Sequence, residues 1–326
     1  MRINNEMDFD QLARGASLLT VASAWTDLGI WNILAEREAP IAVSELPGDS
    51  RALSIAATVL AHAGLLDGDG TQWRMSATAR EMHARQQLPT ERNLRWMDDL
   101  SRMSDVLRDG GPVKGADGTS KVSSGGVRPD DLEATRRFMD MLYRRSDAAA
   151  DQLAQWLMPR LPAGGHVLDV GGGHGRYSRT LADRGYRATV FDMDIVVSLA
   201  KERHGDKLNY RVGNFHEDSF GGPYDAALLS NIVHGESDAD NADMTRRLWA
   251  ALSPGGWLVV KDMFIDEQVR GPEHAAFFGL TMLYYTAQGR SYTLRDVSRW
   301  CEAAGFAAQE AIGVGTQTLV FARKPA

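Results

Sequence analysis

The side chain best placed for acid–base chemistry is His234, which directly follows the mostly apolar run 228–233. Such a run predicts a buried strand. Open α/β sheets bind their ligands at the carboxyl ends of the strands, which is where this residue would lie. A histidine has an ordinary pKa near ~6.5 and can accept a proton at neutral pH. His234 is therefore either a general base or a histidine that caps a helix or makes a structural hydrogen bond.

A second stretch that could bind a ligand is rich in glycine. The strand pattern of 166–170 runs into Gly171, Gly173 and Gly175, and a helical pattern begins near Tyr177. Glycines let the backbone turn sharply and approach a ligand closely, and the start of a helix offers free N–H groups. This order of strand, turn and helix is typical of a nucleotide-binding α/β unit.

The spacing of the glycines and the acids beside them restrict the ligand. A dinucleotide-binding turn needs a further glycine where this sequence has Arg176, and the Gly-Lys-Ser/Thr of a P-loop does not follow. Asp169 directly precedes the glycines and suits a cofactor with a cationic end better than a pyrophosphate. Asp192 ends the next predicted strand, where an acid accepts hydrogen bonds from ribose hydroxyls. The alternative role for Asp169 is to brace the turn through backbone N–H groups.

From residue 165 onward, strand and helix patterns alternate. This alternation predicts an α/β domain with a mostly parallel sheet covered by helices on both faces. The predicted strands are 166–170, 188–191, 208–213, 224–230 and 257–261, followed by two closing strands near 306–312 and 318–322. A short link containing glycines joins the closing strands, which should therefore be antiparallel.

The N-terminal part has a different organisation. A helical pattern with few charges covers 10–35, and helices near 43–47 and 51–62 precede a hairpin-type turn at 67–70. This order is typical of a winged helix, which either binds DNA or serves as a packing and dimerisation module. Residues 1–95 hold nine Arg, no Lys and twelve Asp or Glu, a net charge of −3. A protein that reads a DNA duplex needs a basic face, so the charge favours dimerisation.

The segment between these two parts contains predicted helices and one long polar loop. The helical stripe covers 91–108 and the loop covers 109–129. A loop of this length is either a lid over a site or disordered. The predicted organisation is a winged-helix dimerisation domain at 1–95, connecting helices with the loop at 96–160, and a cofactor-binding domain at 161–326.

Composition restricts the partners and the compartment. The chain has 326 residues and a formal net charge of −7, which implies no general affinity for nucleic acid or an anionic membrane. Cys301 is the single cysteine, so an internal disulfide is excluded. The first residues lack the apolar core of a signal peptide, and no apolar run approaches the ~20 residues of a membrane span. We therefore expect a cytoplasmic protein that binds neither nucleic acid nor a membrane.

The segment 168–175, Leu-Asp-Val-Gly-Gly-Gly-His-Gly, resembles the first motif of class I S-adenosylmethionine methyltransferases. More narrowly, the chain resembles the small-molecule O-methyltransferase family that includes plant caffeate and bacterial polyketide methyltransferases. The resemblance covers nearly the whole chain. It implies a seven-stranded Rossmann-like methyltransferase domain, preceded by a winged-helix domain through which two copies form a homodimer.

The same resemblance implies roles for individual residues. The residues it implies for cofactor binding are Ser146, Asp169, Gly171, Gly173, Asp192, Met193, Asn214, Phe215 and Ser230. Asp192 matches the acid that binds the ribose, and Asn214 stands where the family has an Asp in its adenine motif. His234 matches the catalytic histidine, and Asp262 matches an acid that orients it.

Two departures from the family pattern leave other reactions open. Gly235 stands where the family has an Asp beside the catalytic histidine, and Ser291 stands where the family has a Glu. The set of acids that orients the base is therefore incomplete. One further hypothesis is a metal-assisted C-methyltransferase of an α-keto acid, and another is a non-methylating relative that keeps the cofactor. The metal ligands would be His234, Glu236 and His274, since two histidines and a carboxylate are typical of non-haem iron and zinc sites.

Tyr143, Met282 and Tyr285 are the residues predicted to line the acceptor pocket, because their segments adjoin the cofactor in this family. The sequence thus predicts a cytoplasmic, homodimeric methyltransferase of secondary metabolism. It would move a methyl group from S-adenosylmethionine to a small aromatic or enolisable metabolite. A winged-helix regulator that senses a metabolite is a different hypothesis, and the acidic N-terminal segment disfavours it.

Overall fold

The computed structural model describes residues 3, 6–89, 91–114, 118, 131–268 and 270–326. The chain divides into two compact units, Met1–Met103 and Ser104–Ala326. The first unit extends beyond residue 95, the predicted end of the N-terminal domain. Most of the predicted loop at 109–129 lies outside the described residues.

Helices of the N-terminal unit pack on a small antiparallel sheet. The helices are α1 (Glu6–Asp27), α2 (Ile30–Ala35), α3 (Ser50–His62), α4 (Ala77–Ala84) and α5 (Glu91–Ser101). The strands are β1 (Ile41–Ala42), β2 (Leu66–Gly68) and β3 (Gln72–Met75), and β3 lies between the other two. The side chain of Asp49 caps α3 by accepting a hydrogen bond from the backbone N–H of Ala52.

The predicted helical stretch at 10–35 is divided into α1 and α2. Gly29 separates the two helices with a φ of 69°, in the left-handed region that favours glycine. The rings of Trp25 and Trp31 meet in the core of this unit, with their centroids 5.3 Å apart. The indole N–H of Trp31 donates a hydrogen bond to the carbonyl of Ala22, so a wide apolar side chain is buried without an unpaired donor.

A mixed sheet forms the centre of the C-terminal unit. Its strands are β4 (His166–Val170), β5 (Arg187–Asp192), β6 (Asn209–Val212), β7 (Tyr224–Ser230), β8 (Leu252–Asp262), β9 (Ala308–Val314) and β10 (Gln317–Arg323). Across the described residues the order is β6-β5-β4-β7-β8-β10-β9. The strands from β6 to β8 are parallel, and β10 is antiparallel to both β8 and β9. The predicted α/β class and antiparallel closing pair are thus confirmed.

Helices cover both faces of this sheet. The remaining helices of the chain are α6 (Met103–Asp109), α7 (Leu132–Arg145), α8 (Asp147–Leu157), α9 (Arg176–Ala182), α10 (Asp194–His204), α11 (Asp238–Ala251), α12 (Glu273–Tyr285) and α13 (Leu294–Ala304). Adjacent residues of β7 point to opposite faces of the sheet, because side chains alternate along a strand. Leu229 packs in a cluster with Trp300 of α13, and Leu228 packs in another with Tyr177 of α9. No described helix has both the length and the apolar character needed to span a membrane.

The middle of the sheet determines where a ligand can bind. β4 lies between β5 and β7, so the chain adds strands first on one side of β4 and then on the other. Open α/β sheets bind ligands in the crevice at such a switch point, outside the carboxyl ends of the strands. The glycine-rich turn after β4 and the segment after β7 both lie at this edge.

β8 is longer than the predicted strand at 257–261. It begins at Leu252, and its pairing with β7 shifts between Tyr224 and Ala226. Gly255 has a φ of 76°, and a side chain on Gly256 would come within 2.9 Å of the Ser253 carbonyl oxygen. These glycines allow an irregular start that a simple apolar pattern does not reveal.

Candidate active site

The glycine-rich turn joins the end of β4 to the start of α9. Gly171, Gly173 and Gly175 all have positive φ angles, of 60°, 54° and 70°. A Cβ atom on Gly171 would lie 2.4 Å from Cδ1 of Ile232. The backbone N–H of Gly171 donates a 2.8 Å hydrogen bond to the carbonyl of Phe191 in β5. The turn is therefore a narrow backbone cradle that larger residues would strain.

Asp192 ties the end of β5 to this turn. One carboxylate oxygen accepts a 2.9 Å hydrogen bond from the N–H of Gly173, and the other accepts a 2.8 Å bond from the N–H of Met193. The side chain is buried, and burial raises its pKa to about 6. Each oxygen still has a free lone pair, so the carboxylate can accept further hydrogen bonds from a ligand.

Asp169 lies inside the sheet beneath the turn. Its Oδ2 accepts a 2.8 Å hydrogen bond from the hydroxyl of Ser178 in α9. Its Oδ1 is buried without a hydrogen-bond partner among the described residues. Burial is the main cause that raises the pKa of Asp169 to about 6. The carboxylate thus braces α9 through a hydroxyl, and it keeps one acceptor that a ligand could use.

Ser146 lies at the junction of α7 and α8, next to the turn. Its hydroxyl donates a 2.8 Å hydrogen bond to the carbonyl of Leu142, and His174 Nε2 lies 3.3 Å from the same oxygen. His174 Nδ1 accepts a 3.0 Å bond from the N–H of Arg176, which assigns the ring proton to Nε2. Burial lowers the pKa of His174 to about 3, so the ring is neutral. The sequence reasoning did not select His174, although it lies within the glycine motif.

Met193 and Phe215, two other predicted cofactor residues, lie near the same turn. A Cβ atom on Gly173 would approach Sδ of Met139, and Met193 packs in the cluster that contains Met139. The ring of Phe215 is near Gly171. The side-chain oxygen of Asn214 accepts a 3.0 Å hydrogen bond from the N–H of His216.

Ser230 completes this group from the end of β7. Its hydroxyl is buried without a hydrogen-bond partner among the described residues. β7 is adjacent to β4, and Ser230 pairs with Lys261 on the other side, in β8. An unpaired buried hydroxyl costs free energy unless something binds it. The position of Ser230 is therefore consistent with its predicted role in cofactor binding.

The turn after β7 pairs the two predicted catalytic residues. His234 lies in the short 3₁₀ helix Val233–Gly235, and its Nδ1 is 2.8 and 2.9 Å from the two carboxylate oxygens of Asp262. Asp262 ends β8 and is 1% exposed. Because Nδ1 donates its proton to the carboxylate, Nε2 carries the free lone pair. Within the described residues Nε2 has no hydrogen-bond partner, and 17% of the His234 side chain is exposed.

Phe278 of α12 forms a wall beside this histidine. The two rings meet edge to face, with their centroids 4.7 Å apart. Met282 and Tyr285, the predicted pocket residues of this helix, lie farther along α12. Met282 is buried and Tyr285 is half-buried. A helical spacing alone does not reveal which turn of the helix lies against a catalytic residue.

The segment that departs from the family pattern holds the histidine through its backbone. The N–H of Arg290 donates a 2.9 Å hydrogen bond to the carbonyl of His234. A Cβ atom on Gly289 would lie 2.4 Å from that carbonyl oxygen. The hydroxyl of Ser291 donates instead to the carbonyl of Ala275. Ser291 therefore does not replace the orienting role of a Glu, and Asp262 holds the imidazole.

Tyr143, which is predicted to line the acceptor pocket, packs against cationic side chains. Its ring lies between the guanidinium groups of Arg176 and Arg203, at 4.9 and 4.3 Å, and its hydroxyl accepts a 2.9 Å bond from Arg176. The ring of Tyr143 also meets His174 with the centroids 5.9 Å apart. These contacts place Tyr143 beside the glycine turn, and its role in the acceptor pocket stays a prediction.

The predicted metal set of His234, Glu236 and His274 needs correction. His274 Nε2 bonds the carbonyl of Thr316 at 2.9 Å. In the described part of the chain, the ligand atoms that come within 4.8 Å of one another belong to His216, Glu236 and Asp240. The order of residues along the chain did not reveal that His216, which follows β6, meets Glu236.

Comparison with known proteins places this geometry in a family. Residues 100–307 match the family model described as an O-methyltransferase domain. The 3-hydroxy-5-methyl-1-naphthoate 3-O-methyltransferase of Streptomyces sahachiroi is 26% identical over 319 residues, which cover 90% of this chain and 87% of that protein.

Two solved structures show the same fold. An O-methyltransferase family protein from Burkholderia thailandensis superimposes with a TM-score of 0.81 and 18% identity, covering 100% of this chain and 99% of that one. Human N-acetylserotonin methyltransferase, solved in complex with S-adenosylmethionine, has a TM-score of 0.70 and 19% identity, with 100% of both chains covered.

Proposed function

The chain belongs to the O-methyltransferase family, and we propose that it methylates a hydroxyl group of a small aromatic or enolisable natural product, with His234 as the general base. Its cofactor is S-adenosylmethionine. The observation that carries the proposal is the pair of His234 and Asp262 at the edge of the sheet that also holds the glycine turn. A cytoplasmic, homodimeric enzyme is part of the same proposal.

The residues around the turn fit this cofactor. Gly171 and Gly173 form a backbone cradle that a Cβ would fill or strain, and Asp169 and Ser230 each have a buried oxygen without a described partner. S-adenosylmethionine is an amino acid joined to a nucleoside. Its binding needs hydrogen-bond acceptors together with a backbone that can approach the ligand closely. Asp192 would hold the ribose, while Met193, Phe215 and Asn214 would hold the adenine. When bound, the cofactor supplies a methyl group on a positively charged sulfur, a good leaving group for direct transfer.

His234 has the geometry that a general base requires. The carboxylate of Asp262 holds Nδ1 and its proton, so Nε2 is free to take the proton of an acceptor hydroxyl. As the oxygen loses this proton it becomes a stronger nucleophile. The buried carboxylate then stabilises the imidazolium that forms, as an acid behind a catalytic histidine does in other enzymes. The ring of Phe278 packs edge to face against the imidazole.

The identity of the acceptor is suggested by a relative. The Streptomyces sahachiroi enzyme acts, by its name, on 3-hydroxy-5-methyl-1-naphthoate, a hydroxylated bicyclic aromatic acid. The alignment with this relative covers most of both chains. We therefore take hydroxynaphthoates and related phenols as the acceptor class to test first.

The change His234→Gln tests the base. We expect the rate of methyl transfer to fall by about 10²–10⁴-fold, the usual contribution of general acid–base catalysis. The affinity for S-adenosylmethionine should stay the same, because His234 is not among the residues that would hold it. The rate is measured by mass spectrometry of the methylated hydroxynaphthoate, and the affinity by calorimetry.

His274→Gln is the matched control, since it removes a histidine whose only described hydrogen bond is to a loop carbonyl. It should keep the wild-type rate. If His234→Gln also keeps that rate, the assignment of the base is wrong.

A further inference from the structure

Lys261 is a buried cation that the proposed reaction does not use. It is the penultimate residue of β8 and is 1% exposed. Its Nζ lies 3.2 Å from the side-chain oxygen of Asn231, the one hydrogen bond it makes within the described residues. Burial lowers its pKa to about 8, against the opposing charges of Asp262 and Asp169. An ammonium group buried with so few partners is costly, so its position needs an explanation.

The strand geometry directs Lys261 away from the proposed base. Consecutive side chains of a strand point to opposite faces. The side chain of Asp262 lies on the face of the sheet that holds His234. The side chain of Lys261 lies on the other face, where its Nζ is 5.1 Å from the centroid of the Tyr177 ring in α9. This is the helix that begins at the glycine turn.

Other polar groups on the same side lack partners or lie close to Lys261. Ser230 pairs with Lys261 across the sheet, and its buried hydroxyl is unpartnered among the described residues. The charge of Lys261 contributes to the lowered pKa of His174, which contacts Ser146. Asp169 also has an unpartnered buried oxygen. A cation, two hydroxyls and an acid thus lie around one end of the glycine turn.

We propose that Lys261 receives the carboxylate of the amino-acid end of S-adenosylmethionine. An α-amino acid presents a carboxylate and an ammonium group side by side, and this cluster offers Lys261 for the first and Asp169 for the second. The acceptor is a less suitable partner for Lys261, because His234 and Asp262 occupy the opposite face of the sheet. The proposal rests on the assigned cofactor and adds the residue that recognises its carboxylate.

Decarboxylated S-adenosylmethionine tests this assignment, because it lacks only the carboxylate. Calorimetry would compare its dissociation constant with that of S-adenosylmethionine in the wild-type protein. We expect S-adenosylmethionine to bind about 10- to 100-fold more tightly, the usual contribution of a hydrogen bond to a charged group. Equal affinities in the wild-type protein would overturn the proposal without any variant.

The change Lys261→Met keeps the apolar length of the side chain and removes the charge. It should weaken binding of S-adenosylmethionine by about 10- to 100-fold and leave the affinity for the decarboxylated compound unchanged. Lys324→Met is the matched control. Lys324 Nζ donates hydrogen bonds to the carbonyls of Trp249 in α11 and of Leu252 at the start of β8. This variant therefore loses the same charge at the opposite end of β8.

Three other results would contradict the proposal, and they are distinguishable. An equal loss for both ligands in Lys261→Met would indicate a structural role. An unchanged cofactor affinity with a raised KM for a hydroxynaphthoate would indicate that Lys261 binds the carboxylate of the acceptor. A wild-type protein that binds neither ligand would contradict the cofactor assignment itself.

Discussion

Two buried carboxylates dominate the chemistry of the site at the scale of single residues. Asp169 and Asp192 both have pKa values raised to about 6, in each case mainly by burial. Their ordinary value is 3.8, so the folded protein without cofactor holds these protons more tightly than the unfolded chain does. Their contribution to stability is therefore present in acid and is lost as the pH rises through about 6.

Binding of a cationic cofactor favours the loss of these two protons, which leads to a prediction about the pH dependence of binding. The sulfonium and ammonium charges favour the ionised forms of Asp169 and Asp192. Affinity for S-adenosylmethionine should therefore increase as the pH rises through about 6. Calorimetry between about pH 5 and about pH 8 measures this, with adenosine as a ligand that lacks the cationic end. A cofactor affinity that stays constant over this range would count against the assignment.

A contact between two residues can be predicted from the sequence where the backbone fixes the place of each residue, although their roles stay predictions. His234 and Asp262 each follow or end a strand at the same edge of a parallel sheet, so their meeting follows from topology. Tyr143 and His274 lie on helices, where the partner depends on which face packs against which neighbour. The two arginines that enclose Tyr143 come from α9 and α10, and no spacing within α7 reveals them.

At the scale of elements, the turn between β4 and α9 is the backbone cradle that we propose holds the cofactor. Its glycines have positive φ angles, and Gly171 is also in close contact with the side chain of Ile232. The strand before it and the helix after it were predicted from apolar periodicity. The lengths of β8 and of α1 were not, since an irregular start and a left-handed glycine determine them.

The change Gly171→Ala separates conformational strain from ligand binding. A left-handed φ costs a residue with a Cβ about 1–2 kcal/mol, so the free energy of unfolding should fall by about that amount. The new methyl group should also displace Ile232 and weaken cofactor binding. Urea unfolding and calorimetry measure the two effects.

Gly315→Ala is the control for this change. Gly315 has a φ of 62° and no atom within 4 Å of an added Cβ. It should show the same loss of stability with an unchanged cofactor affinity. If Gly171→Ala binds the cofactor as the wild-type protein does, the turn is not the cradle proposed here.

At the scale of the whole molecule, the chain consists of a helical N-terminal unit and a cofactor-binding unit. The N-terminal unit exposes apolar side chains on its first helix, where Phe9 is 63% exposed and Leu12, one turn later, is 37% exposed. Apolar residues that share a helix face are typical of an interface. The predicted homodimer would cover them with a second copy of the chain.

The change Phe9→Glu tests the proposed dimer. We expect the wild-type protein to elute as a dimer and the variant to shift toward the monomer, measured by light scattering after size exclusion. Val212→Glu is the control, because Val212 is 53% exposed at the end of the edge strand β6. A wild-type protein that is monomeric at all concentrations would exclude the dimer.

The main chain of residues 289–290 holds His234 in place, and this affects how the sequence of the segment can vary. A backbone N–H and a glycine make these contacts, so no side chain at 290 or 291 is needed to keep the base in place. Substitutions at those two positions can accumulate without moving the imidazole. The proposed base can therefore keep its place while the side chains of this segment change.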